Sequence, residues 1–149
     1  GGRDRALGRG ARAGVAGVDI AGGGVAKGEA GFVRARTGIA GGTRDMEIAR
    51  SEVFGPVLSM LTYQDEPEAI AIANDSDYGL VGGVFTREID GAMRVAQRIR
   101  TGQVFVNEWY AGGVETPFGG YKKSGYGREK GREALMNYVQ TKNIGIRIG

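Results

Sequence analysis

The aromatic residues Trp109, Tyr110, Phe118, Tyr121 and Tyr126 crowd, together with Pro117, into positions 108–127, interleaved with glycines at 112, 113, 119, 120 and 125. Rigid rings beside bare backbone suit a loop wrapped closely around a flat ligand, and equally a loop that packs its rings on its own domain. The polar chemistry available to such a loop is restricted, because the 149 residues contain neither Cys nor His. The chain itself supplies no thiolate nucleophile, no disulfide, no imidazole base and no cysteine or histidine metal ligand. Serine triads, papain-like dyads and zinc hydrolysis by these residues are thereby excluded. Carboxylate, Lys, Tyr, Ser or Thr chemistry remains, and each needs a shaped pocket to tune it.

Phosphate cradles are missing by motif. Gly8-Arg9-Gly10-Ala11-Arg12-Ala13 fits a loose dinucleotide fingerprint, but no apolar strand precedes it and no acidic residue stands at the usual distance beyond it. Neither the run Gly22-Gly23-Gly24 nor the stretch 120–125 ends in the Gly-Lys-Ser/Thr of a phosphate loop. Residues 1–45 hold 14 of the 29 glycines and carry 8 basic against 4 acidic side chains, so the basic character of the chain resides there. A Gly/Arg-rich segment can bind a polyanion such as nucleic acid, but the interleaved aromatics that stack on bases are missing. The simpler expectation is a flexible leader over 1–45, since glycine raises the entropy cost of ordering and few apolar groups offset it. No apolar run approaches the roughly 18–20 residues that cross a bilayer, and the first residues lack the apolar stretch of a signal peptide. A cytoplasmic protein without a membrane partner is expected.

From Met46 the pattern becomes regular. Residues 57–63 read as a strand entered through Pro56. Asp65 with Glu68 forms a capping-box arrangement that opens a helix through Ile70 and Ala73, closed by Asn74-Asp75-Ser76-Asp77. Residues 80–86 form a second strand in which Gly82 and Gly83 mark a close approach of backbone. Ile89, Met93, Ala96 and Ile99 recur at helical spacing and predict one buried face. A third strand over 103–107, a helix over 128–138 and a terminal strand over 143–148 complete the series. Strands alternating with helices predict an α/β fold, a partial three-layer parallel sheet with flanking helices. So few helices barely cover both faces of such a sheet, so the chain reads as part of a larger domain.

Three sets of residues also form recognisable motifs: Ser51-Glu52-Val53-Phe54-Gly55-Pro56-Val57; Ala69 to Asp75 with Tyr78-Gly79-Leu80; and Pro117-Phe118-Gly119-Gly120-Tyr121-Lys122-Lys123-Ser124-Gly125-Tyr126-Gly127-Arg128-Glu129. In order and spacing they resemble the C-terminal part of the NAD(P)-dependent aldehyde dehydrogenases. The resemblance covers residues 46–145; it thins over 20–45, where Arg36-Thr37 stands in place of the family's Pro-Thr, and residues 1–19 look unrelated. It implies that residues 46–149 are the distal part of an aldehyde dehydrogenase catalytic domain.

That resemblance assigns roles position by position. Glu52 would hydrogen-bond the ribose hydroxyls on the nicotinamide side of NAD or NADP, as a carboxylate can accept from two adjacent hydroxyls. Phe54 would supply an apolar wall against the nicotinamide. Trp109, Tyr110, Ala111, Gly112 and Phe118 would line the tunnel for the aldehyde substrate, with Gly112 leaving room for a bulky or extended one. Asn107 is expected to order the loop backbone. The family's nucleophilic Cys and general-base Glu belong to upstream motifs, so no catalytic residue is assigned and the chain alone is expected to be inactive. Residues 142–149 would form an intersubunit strand of a homo-oligomer. The competing reading is a non-catalytic module that uses the basic leader on a polyanion or the terminal strand on another sheet.

Overall fold

The structure is a computed structural model that describes residues 19–21, 37–110 and 112–149. Of the Gly/Arg-rich segment 1–45, residues 1–18 and 22–36 therefore lie outside the described residues. The chain divides into two compact units, residues 1–65 and 66–149.

In the first unit, β1 (Asp19–Ala21) pairs antiparallel with β2 (Thr37–Ala40), which pairs in parallel with β3 (Val57–Ser59). Strand β2 is not marked by any sequence signal, and it extends regular structure back into the segment expected to be leader. Its alternating burial follows the two-residue side-chain period: Thr37 and Ile39 are buried while Gly38 and Ala40 are half-buried. A short helix α1 (Glu47–Arg50) lies between β2 and β3, and Ser59 Oγ donates to the Ile48 carbonyl at 3.0 Å. Strand β3 stops at Ser59, short of the expected Tyr63, because its partner β2 offers only four residues to pair with.

In the second unit, α2 (Glu66–Asn74) leads through β4 (Tyr78–Gly79) into β5 (Val81–Val84), then α3 (Ile89–Arg98) and β6 (Gln103–Val106). β5 and β6 run parallel, Val81 opposite Gln103 and Val84 opposite Val106, so the expected strand-helix-strand unit is present. β7 (Tyr121–Lys122) returns antiparallel to β4. The architecture is thus mixed α/β, with small parallel pairs and antiparallel additions in place of one continuous parallel sheet.

Helix α3 corrects the expected stripe. Ala92 is fully buried, whereas Ile89 and Met93 are exposed. The periodicity identifies the helix, but the small Ala side, flanked by half-buried Val95, Ala96 and Ile99, faces the strands. The predicted last helix is a 3-10 helix, Arg132–Tyr138, that buries no side chain. Tertiary packing of an apolar face supplies most of a helix's stability, and here Leu135 and Met136 point outward. Residues 143–148 form no ladder among the described residues, and Ile144, Ile146 and Ile148 are exposed. A strand exists only through a hydrogen-bonded partner, so the alternating pattern alone does not make one here.

Candidate functional site

In the first unit, the Glu52–Pro56 motif lies between α1 and β3 and borders a cavity of about 370 Å³. Ile48, Ala49, Ser51, Val53 and Val57 line it with Glu52 and Phe54. Phe54 holds a left-handed backbone, φ +52°, in a region that costs a non-glycine residue of order 1–3 kcal/mol. Its ring is 71% exposed, so packing within the unit does not compensate that cost. Glu52 is exposed as well, and its carboxylate accepts no hydrogen bond and joins no ion pair among the described residues. A free carboxylate and a free ring two residues apart, beside a cavity, can accept two hydroxyls and cover a planar group.

The second unit builds its motif residues differently. The last four carbonyls of a helix have no partner within it. At the end of α2, Lys122 Nζ donates to the carbonyls of Asn74 and Ser76, both at 2.9 Å. At the end of α3, the Asn74 side chain donates to the Arg98 carbonyl at 2.9 Å and accepts from the Arg100 N–H at 2.7 Å. Ser124 Oγ accepts the Gly79 N–H at 3.0 Å, and Lys123 pairs with Asp77 at 2.5 Å, which raises the Lys123 pKa. Arg128 donates to the Gly120 carbonyl at 3.1 Å and stacks its guanidinium 5.4 Å from the Tyr121 ring centre. The start of β6 presses on this loop so closely that a Cβ at Gly102 would collide with the Gly119 carbonyl oxygen. The lysine, serine and glycines of the long motif therefore tie the loop to the end of α2 and to two strands, and Asn74 links that helix end to the end of α3.

Those ties hold up an aromatic cluster. Phe105, buried in β6, lies 6.2 Å from the Trp109 ring and 6.3 Å from the Tyr110 ring, both tilted. Trp109 also covers Gly83 of β5, where a Cβ would stand 2.8 Å from the indole. The expected close approach at Gly83 is thus made by a ring. Trp109 and Tyr110 nevertheless stay 66% and 58% exposed, so each packs one side and leaves the other open. The expectation that the loop packs its rings on its own domain therefore holds for Trp109 and Tyr110, each of which also leaves a side exposed. Phe118 is half-buried and exchanges two backbone hydrogen bonds with Glu129, at 2.6 and 2.7 Å. The Asn107 side chain, expected to order the loop that follows it, bonds instead to the connection after β5: its Oδ1 accepts the Thr86 N–H at 2.8 Å, and its own φ is +57°.

Glu52 and Phe54 are thus brought together in one unit, and Trp109, Tyr110 and Phe118 in the other. Ala111 lies outside the described residues. Gly112 does not open space of its own, because a Cβ there would stand 2.5 Å from Thr116 Oγ1. Sequence reasoning misses Lys130. Its Nζ donates to Tyr110 Oη at 2.9 Å and stands 5.3 Å from the Tyr110 ring centre and 6.0 Å from that of Phe118. A basic residue directly after a ring-rich glycine loop is the available signal.

The pattern of the aldehyde dehydrogenase family matches residues 3–144. The match reaches back through residues that look unrelated by motif. A 4-trimethylaminobutyraldehyde dehydrogenase of Rattus norvegicus is 47% identical over 107 residues, 72% of this chain and 22% of that protein. Among solved structures, an NAD-dependent aldehyde dehydrogenase from Sinorhizobium meliloti superposes with a TM-score of 0.87 at 41% identity, covering 94% of this chain and 28% of that one. The apo betaine aldehyde dehydrogenase of Staphylococcus aureus gives 0.86 at 38% identity, covering 94% and 29%. The chain spans less than a third of the length of these relatives. With the three motifs in register and the fold shared over nearly the whole chain, it belongs to the aldehyde dehydrogenase family.

Proposed function

We propose that this chain takes part in the NAD(P)-dependent oxidation of an aldehyde to a carboxylic acid. It contributes a cofactor-facing segment and a substrate-facing aromatic wall, and the nucleophile comes from outside these 149 residues. The observation that carries the reading is the pair Glu52 and Phe54, exposed and unpartnered beside a cavity, with Phe54 in a strained backbone. Strain of this kind persists at sites where position matters more than local stability.

The residues fit the nicotinamide end of a dinucleotide. Glu52 would accept hydrogen bonds from the ribose hydroxyls, and Phe54 would cover one face of the ring and keep water from it. When bound, the dinucleotide supplies the hydride acceptor. The open sides of Trp109 and Tyr110, with Phe118, would form part of the wall that guides the aldehyde. Relatives named for betaine aldehyde and 4-trimethylaminobutyraldehyde support an aldehyde as substrate, and relatives solved with NAD⁺ support the cofactor. The exposed isoleucines of the C-terminal segment would pair in a homo-oligomer through residues 142–149. No helix among the described residues is long and apolar enough to cross a membrane.

The test is a hybrid in which residues 46–149 replace the matching segment of the Sinorhizobium meliloti enzyme. It should reduce NAD⁺ in the presence of aldehyde, and Phe54→Ala in the hybrid should lower kcat. A folded hybrid that binds NAD⁺ without any aldehyde-dependent turnover would contradict the proposal.

A further inference from the structure

We infer that Lys130 is a positioning residue: by holding the hydroxyl of Tyr110 it fixes that ring in the aromatic wall that meets the aldehyde, a role that rests on the reading of Trp109, Tyr110 and Phe118 as that wall. The ammonium donates to Tyr110 Oη at 2.9 Å. Lysine offers donors only, so the phenol oxygen accepts, and a hydrogen bond with a charged partner is stronger than a neutral one. On one side the Tyr110 ring lies against Phe105, tilted at 6.3 Å, and the residue stays 58% exposed. A contact on one side restrains the plane of a ring, whereas a second point at its far end also fixes where the hydroxyl lies.

The brace is anchored where it starts. Glu129, just before Lys130, is paired to Phe118 through both of its backbone groups, and the Gly131 N–H donates to the Val114 carbonyl at 2.8 Å. Gly131 packs so closely that a Cβ there would stand 3.0 Å from the Pro117 nitrogen. Lys130 therefore springs from backbone fastened to the 114–118 arm of the loop and reaches across to Tyr110 on the other arm. Lys130 and Tyr110 both hold left-handed backbones, φ +59° and +71°, and such residues persist where their surroundings over-determine them. The hydrogen bond joins these two strained residues directly, and Lys130 is half-buried, which limits the competition of water for its ammonium.

Two measurements test this role. In the 149-residue chain labelled with ¹³C-tyrosine, the Tyr110 signals are identified by their loss in Tyr110→Phe. The order parameter of that ring should fall in Lys130→Met, which removes the donors at similar length, and should hold in Lys130→Arg, which keeps them. In the hybrid carrying residues 46–149, Lys130→Met should raise the KM for aldehyde about three- to tenfold while kcat and the KM for NAD⁺ stay within about twofold, the signature of lost binding shared by ground state and transition state. Lys130→Arg should stay within about twofold of the unaltered hybrid, and adding Lys130→Met to Tyr110→Phe should change KM by less than about twofold, since the hydroxyl through which Lys130 acts is then gone. An unchanged ring order or an unchanged KM in Lys130→Met, a kcat that falls in step with the rise in KM, or additive effects of the two substitutions overturns the assignment of Lys130. An unaltered hybrid without aldehyde-dependent turnover contradicts the proposed function instead, and the ring order in the 149-residue chain then decides the role of Lys130.

Discussion

The two regions that carry the family's motifs use them in opposite ways. Around Glu52 and Phe54 the conspicuous side chains are exposed and bind nothing within their own unit. In the 103–131 region the conspicuous side chains serve structure: Lys122, Ser124 and Arg128, together with Asn74 from the end of α2, satisfy backbone groups elsewhere in the unit. A motif residue is thus no index of contact with ligand. The first region is a presented surface held by a short strand and a four-residue helix, and the second is a scaffold that holds rings in place.

The comparison implies its own tests, the largest effect first. Neither region contains a cysteine to form the thiohemiacetal, so the 149-residue chain alone should reduce no NAD⁺ or NADP⁺ with any aldehyde; reproducible, protein-dependent absorbance at the reduced-cofactor band would contradict this. Next, Lys122→Met should strand the Asn74 and Ser76 carbonyls and destabilise the second unit by about 1–3 kcal/mol, read as a lower urea midpoint of Trp109 fluorescence. Asn74→Ala should act similarly through the end of α3. Glu52→Gln, by contrast, should stay within about 0.5 kcal/mol of the parent, because nothing in its unit depends on it. Equal losses at Lys122 and Glu52 would erase the distinction.

Phe54→Gly sharpens it further. Glycine adopts φ +52° without strain, so amide protection across β2 and β3 should hold or rise by up to about 1 kcal/mol, while the hybrid enzyme loses kcat. A residue whose removal helps the fold and harms the reaction serves the reaction. The smallest expected effect is a pH dependence at Glu66, which Arg94 contacts at 3.0 Å. The hydrogen bond from Arg94 holds the Glu66 pKa below 4.5, so its contribution is present above that value and lost as pH falls through the lowered one. Glu66→Gln should flatten that part of the acid limb of a urea-midpoint series. The pair is exposed, so the change should be slight.

Local pattern makes part of this legible. The helical spacing over 89–99 marks α3, and the apolar runs around it mark β6 to within one residue and β5 to within two, the expected 80–86 shortening to Val81–Val84. Periodicity cannot tell which edge of a stripe meets the sheet, so it points to Ile89 and Met93 where the buried residue is Ala92. Strand β2 escapes because Thr37-Gly38-Ile39-Ala40 is short and glycine-bearing, and its stability comes from two partner strands rather than from propensity. The motif resemblance picks out Glu52 and Phe54, yet the structural duty of Lys122 and Ser124 spans 45 to 48 residues and leaves no local trace. Lys130 reaches Tyr110 and Phe118, 20 and 12 positions away, and only its place directly after the ring-rich glycine loop marks it in the sequence.

The central claim is that the unpartnered carboxylate of Glu52 is reserved for the cofactor. In the hybrid carrying residues 46–149, NAD⁺ affinity measured by calorimetry should fall by about 1–3 kcal/mol on Glu52→Gln, the scale of a hydrogen bond to a charged group, with the urea midpoint unchanged. Unchanged affinity and unchanged turnover in a folded Gln variant would contradict it.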